Sequence, residues 1–161
     1  MENQQKVFVH MAMNAWNSHV KRADALFSTL TDAQLMEEVA PGKNRGVYLV
    51  GHLAAVHDRL LPLLGIGERA HEKMDDAFIS NPDKKGIELM PVADVRKAWE
   101  ITNQKLEEAF SKMQPEEWFM KHTQMTEEDL AKEPHRNRLS VLISRTDHLA
   151  YHLGQVALIK K

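Results

Sequence analysis

Apolar residues recur at helical spacing in four long stretches of the chain. These stretches cover about 4–30, Gly46–Leu64, Pro91–Met113 and Arg138–Lys160. Within each, apolar side chains lie three or four positions apart, which is the period of an amphipathic helix, and none shows the alternation typical of a strand. The pattern predicts an all-α fold class, a four-helix bundle.

Local motifs predict short extra helices in the connections between the long helices. Residues 31–34 show capping-box spacing, so a short helix is expected over 32–38. Another short helix is expected to begin at Thr126 and to end by Pro134. Pro62 should kink or end the second long helix. The irregular stretch 65–90 is long enough to cross the bundle or to cover a site. Since no linker divides the chain, we expect one domain over residues 1–161.

The first long helix has more apolar surface than one core-facing stripe requires. The stripe itself contains His19 near its centre, and its apolar members are Phe8, Ala12, Ala15, Trp16, Ala23, Leu26, Phe27 and Leu30. Further apolar residues lie outside it, namely Val7, Val9, Met11 and Met13. Because excess apolar surface often marks an interface, we expect a homodimer.

Composition narrows the possible partners. The chain has 161 residues, a formal net charge of −2 and no cysteine. Near-balanced charge gives no reason to expect binding to nucleic acid or to an anionic membrane surface. The lack of cysteine excludes a disulfide framework and a thiolate supplied by the protein itself. Since no signal peptide or membrane-spanning run is evident, a cytoplasmic protein is expected.

Polar side chains interrupt the apolar face of the last long helix. His148 and His152 lie about 40° apart on a helical wheel and about 6 Å apart along the axis, so both imidazoles can bind the same metal ion. Gln155 follows about one turn after His152, and Arg145 precedes His148 by about one turn. Apolar residues share this side of the helix, namely Val141, Leu142, Leu149, Leu153, Val156 and Ile159. A polar cluster in such surroundings needs partners or a metal.

A third histidine, His52, lies on the second long helix and can complete a site with His148 and His152. Three imidazoles leave open positions for water or substrate, as in catalytic divalent-metal sites. The alternative is that the three are separate core or surface histidines. His57 lies about 140° round the helix from His52, so both cannot readily face one ion.

Three more side chains are candidates for a supporting role. Gln155 is expected to orient a ligand or contact substrate, or simply to lie as a polar group in the bundle. Arg145 can recognise a carboxylate through its planar guanidinium, or form a salt bridge at the bundle end. His19 can approach the site from the first helix, or be a core histidine.

Two segments resemble the DinB/YfiT-like family. They are Val50–Ala55, which contains His52, and His148–Gln155, which has the pattern His-x-x-x-His-x-Gly-Gln. The spacing and helix order match over essentially the whole chain. The resemblance implies an up-up-down-down four-helix bundle, a homodimer, and a divalent metal, zinc or nickel, bound by His52, His148 and His152.

The resemblance implies two kinds of chemistry. Some family members are S-transferases that use bacillithiol or mycothiol, one is a thiol-dependent isomerase, and others are described as metal-dependent hydrolases. We therefore expect a metal-dependent enzyme that activates a low-molecular-weight thiol or water and acts on a small-molecule substrate. The alternative is a non-catalytic bundle that binds a metal or a small ligand.

Overall fold

Four long helices dominate the fold. The computed structural model describes residues 2–160, with side chains from residue 4, and contains no β-strand within that range. The α-helices are α1 (Glu2–Thr29), α2 (Asp32–Leu35), α3 (Gly46–Asp58), α4 (Leu60–Leu63), α5 (Val92–Phe110), α6 (Glu127–Lys132) and α7 (Arg138–Val156). Shorter helical turns cover Glu72–Met74, Asp76–Ser80, Pro115–Phe119 and Ala157–Ile159. The predicted all-α bundle is confirmed.

Capping and proline residues set several helix ends, although α2 ends at Leu35 and not at residue 38 as expected. Thr31 and Thr126 both form capping boxes, at the starts of α2 and α6. The second long helix is interrupted at Arg59, between α3 and α4. Pro62 explains the break, because it has no N–H to donate to the carbonyl of Asp58 and its ring crowds that carbonyl.

α1 and α3 run in opposite directions. The amide of Gly46 at the start of α3 donates to the carbonyl of Glu37, which follows α2 in the connection after α1. Further along α3, the ring of His57 lies 4.7 Å from that of Trp16 in the middle of α1. α2 and a tight turn occupy the connection, so the chain reverses at this end of the bundle.

Contacts of α5 and α7 complete the topology. Trp99 packs on Phe27 and Phe110 packs on Trp16, so α5 is antiparallel to α1 and parallel to α3. α7 is antiparallel to α3, because Gly46 lies against Ile159 while Gly65 lies near Arg138. The order is up-down-down-up, and the expected up-up-down-down order is wrong. The irregular connection over residues 65–90 makes the crossing between the parallel helices α3 and α5.

Two apolar clusters fill the bundle, and α3 contributes to one of them along most of its length. That cluster includes Phe78 from the long connection, which packs on Gly51. On α1, Val9 and Met13 pack against the other cluster, so they are not spare apolar surface. Phe8 was expected in the core, but 58 % of it is exposed because it lies on the outer side of α1.

Among the helices over residues 2–160, none is both long enough and apolar enough to cross a membrane.

Candidate metal centre

Three imidazoles from two helices meet at one point. The Nε2 atom of His148 lies 3.1 Å from Nε2 of His52 and 3.1 Å from Nε2 of His152. One ring nitrogen from each of the three lies within 4.8 Å of the others, and all three side chains are half-buried. Within the described part of the chain, no other group of three or more His, Asp or Glu residues offers such an arrangement. The structure therefore brings together the three histidines that the sequence singled out.

Hydrogen bonds on the far side of two rings fix which nitrogen carries a proton. Nδ1–H of His52 donates to the backbone carbonyl of Phe78 at 2.7 Å. Nδ1–H of His152 donates to the side-chain oxygen of Gln155 at 2.7 Å. Because each acceptor is a carbonyl oxygen, the Nε2 atoms of His52 and His152 carry lone pairs toward the centre. This is the usual orientation of metal-binding histidines.

The lone pairs on Nε2 of His52 and Nε2 of His152 both point toward Nε2 of His148. These three nitrogens need a positively charged partner. His148 Nε2–H can donate to His52 or to His152, but not to both with its single proton. Nδ1 of His148 is buried and has no hydrogen-bond partner among the described residues. A cation between the three Nε2 atoms would satisfy all of them at once.

Burial keeps the three rings neutral and able to bind a metal. Desolvation, with smaller contributions from the charges of nearby residues, lowers the pKa of His148 to about 4. The pKa values of His52 and His152 are also lowered, again mainly by desolvation. Neutral imidazole is the form that coordinates a metal.

The nitrogen spacing suits a small divalent ion. Zinc binds histidine nitrogen at about 2.0–2.1 Å, so two such ligands at a tetrahedral angle lie about 3.3 Å apart. The observed separations of 3.1 Å are close to that value. The donor set of three imidazoles and the orienting carbonyls therefore fits zinc or nickel.

The long connection supplies a part of the site that sequence patterns did not reveal. The turn Asp76–Ser80 is a π-helical turn, a type often found at functional sites. Its Phe78 presents its backbone carbonyl to His52 and its ring to Gly51. A backbone acceptor has no signature in the sequence, although a glycine directly before His52 is compatible with close packing there. The expectation that this connection covers a site agrees with these contacts.

The other candidate residues differ in their placement. Gln155 contacts His152, as expected of a supporting residue. Arg145 is half-buried and its charge lowers the pKa values of His52 and His148. His19 is not among the clustered histidines, and its Nδ1–H donates to the carbonyl of Ala15 within α1. His57 is fully buried between Trp16 and Trp99, away from the metal-binding group, as its wheel position predicted.

Similarity to known proteins extends over the segments that contain the three clustered histidines. A search of the curated proteins found no match. A family model described as the DinB superfamily matches residues 15–156, which include all three clustered histidines. That span is most of the chain's 161 residues. The chain therefore belongs to the DinB superfamily.

Proposed function

We propose that the protein binds one zinc or nickel ion through His52, His148 and His152 and acts as a metal-dependent enzyme. The observation that carries the proposal is the convergence of three Nε2 atoms, two of them on rings whose Nδ1–H is already bonded to a carbonyl. When bound, such a metal lowers the pKa of a thiol or of water and so supplies a nucleophile near neutral pH. The reaction class is thiol S-transfer or hydrolysis.

Each protein residue of the site has a defined task in this proposal. His52, His148 and His152 hold the ion, and α3 and α7 fix their separation. The carbonyl of Phe78 and the side chain of Gln155 hold His52 and His152 in the tautomer that coordinates. The protein contributes no cysteine, so in S-transfer the thiol would come from a low-molecular-weight cosubstrate.

The assembly and location of the protein are part of the proposal. We retain one domain over residues 1–161, a small-molecule substrate, a homodimer and a cytoplasmic location. Support for the dimer comes from one side of α1, where Val7, Phe8 and Met11 are each more than half exposed. Apolar side chains that are exposed together are a common feature of subunit interfaces.

Metal analysis tests the binding half of the proposal. The purified protein should contain about one divalent ion per chain, while His148→Ala and His152→Ala should each lose most of it. His19→Ala is the matched control, because His19 is also a half-buried helical histidine but bonds within α1. Full metal content in both site variants would refute the three-histidine site.

Turnover assays test the catalytic half. The metal-loaded protein is given an electrophilic aryl halide together with a low-molecular-weight thiol, and separately a 4-nitrophenyl ester. Metal-dependent conjugation would identify an S-transferase, and metal-dependent ester cleavage would identify a hydrolase. If the rates of conjugation and of ester cleavage both equal those of the protein from which a chelator has removed the metal, the enzyme proposal fails. The alternative of a non-catalytic metal-binding bundle would then remain.

A further inference from the structure

Arg145 is a half-buried cation without an anionic partner. Its guanidinium forms no hydrogen bond or ion pair with any side chain or carbonyl in the described range. Burial lowers the pKa of Arg145, and the charge of Arg59 lowers it further. Arg59 itself is paired with Asp75. Arg145 itself therefore has no carboxylate partner among the described residues.

The position of this cation links it to the metal centre. Arg145 precedes His148 by three residues on α7, about 4.5 Å along the helix axis. It also precedes His152 by seven residues, which is close to two full turns, so the three side chains lie on one face. The electrostatic effect of Arg145 on His148 and His52 agrees with that placement. A bound divalent ion would add further positive charge next to Arg145.

We propose that Arg145 binds a carboxylate group of the substrate or thiol cosubstrate that reacts at the metal centre. The proposal rests on the metal-binding function and adds the substrate class to it: an anionic, carboxylate-bearing small molecule. A guanidinium offers two parallel N–H donors that match the two oxygens of a carboxylate. No nitrogen of Arg145 is among the fully buried side-chain atoms that lack a partner, so the guanidinium reaches solvent and is open to a ligand carboxylate.

A pair of probe thiols tests this assignment by binding rather than by turnover. 3-Mercaptopropionate has a carboxylate, and 3-mercaptopropionamide is a neutral analogue of the same length. Both are titrated into the cobalt-substituted protein, since cobalt bound to a thiolate gives an absorption band that reports binding. The proteins compared are the wild type, Arg145→Gln, Arg145→Lys and the control Arg22→Gln. Arg22 is exposed on α1, and its charge is not among those that shift the pKa values of the three histidines.

The wild type should bind the carboxylate probe about tenfold more tightly than the amide, as expected for one charge-assisted contact of about 1.4 kcal/mol. Arg22→Gln should keep that ratio. Arg145→Lys should keep part of it, because lysine retains the charge without the planar pair of donors. Arg145→Gln should bind both probes equally while retaining full cobalt content.

Each other outcome would overturn the inference. A tenfold preference that survives in Arg145→Gln would mean that the metal itself chelates the carboxylate. Equal binding of both probes by the wild type, with cobalt bound, would refute the role of Arg145 alone. A wild type that binds no cobalt would refute the metal site and the inference with it.

Thermal unfolding separates this role from a structural one. If Arg145 serves a ligand, Arg145→Gln should unfold no earlier than the wild type in the absence of thiol, because the substitution removes an unpaired half-buried charge. If Arg145 supports the fold, the midpoint of Arg145→Gln should drop by several degrees, and that drop would contradict the proposal.

Discussion

Replacing Gly51 with alanine should disturb the metal centre through its supporting contacts. Gly51 lies on α3 directly before His52. A Cβ built on Gly51 would lie 2.2 Å from Cε1 and 2.4 Å from Cδ1 of the Phe78 ring. That ring is only 1 % exposed, so it cannot swing into solvent. The turn that contains Phe78 must shift, and the carbonyl that orients His52 shifts with it.

The expected effect on stability is smaller than the effect on metal binding. Overpacking of a core typically costs about 1–3 kcal/mol. Because alanine has a higher helix propensity than glycine, the substitution also stabilises α3 by about 1 kcal/mol. The metal-free variant should therefore lose between about 0 and 2 kcal/mol of unfolding free energy. Loss of an orienting contact behind a metal-binding histidine typically weakens metal binding about 10- to 100-fold.

Gly154→Ala provides a matched control on the other metal-binding helix. Gly154 lies between His152 and Gln155 on α7, and a Cβ there would meet nothing within 4 Å. This variant should gain about 1 kcal/mol in stability and keep the wild-type zinc affinity. Zinc affinities are measured by competition with a chromophoric chelator, and stabilities by urea unfolding in a metal chelator. Wild-type zinc affinity in Gly51→Ala would refute the claim that Phe78 orients His52.

Three further predictions concern other polar groups. Burial lowers the pKa of His57 to about 3, so the unfolded chain binds a proton at this residue before the folded protein does. His57 should therefore contribute a fall in unfolding free energy of about 1.4 kcal/mol per pH unit below about 6.5, in addition to the fall caused by the three metal-binding histidines. Urea titrations of the protein in chelator should show a shallower fall in His57→Phe, and an equal slope would contradict the assignment. Gln155→Leu should weaken zinc binding about tenfold in the chelator competition, since His152 loses its acceptor, and unchanged affinity would exclude that role. Asp58 is fully buried and accepts hydrogen bonds from Arg69 and two backbone amides. Urea unfolding of Asp58→Asn should therefore show an unfolding free energy about 3 kcal/mol lower than that of the wild type, and a loss below about 1 kcal/mol would contradict this role.

Local signals in the sequence were sufficient for the helices and for the histidine group. Helical periodicity, the capping box at Thr31 and Pro62 act within a few residues, so they predicted the main elements and an interruption of the second long helix near Pro62. The His148/His152 pair follows from the helical repeat alone. His52 was a candidate from its place on the second long helix, and the family resemblance favoured it as the third ligand over a separate histidine. The structure places it 3.1 Å from His148.

Features that depend on distant parts of the chain were not predictable in this way. The helix order came from the resemblance and was wrong, because direction depends on how the connections fold. Phe8 follows the periodicity of the core stripe but lies where no neighbouring helix covers α1. The carbonyl of Phe78 reaches His52 across 26 residues, and no side-chain pattern records a backbone contact.

The role of His52 is the most direct test of the account, because it is the only proposed metal ligand outside α7. The measurement is thermal unfolding of the wild type, His52→Gln and the control His19→Gln, each with added zinc and with chelator. A ligand that binds only the folded state stabilises it by RT ln(1 + [L]/Kd). Zinc should therefore raise the unfolding midpoint of the wild type and of His19→Gln, and most of that rise should be lost in His52→Gln. An equal zinc-induced rise in all three proteins would contradict the three-histidine metal centre.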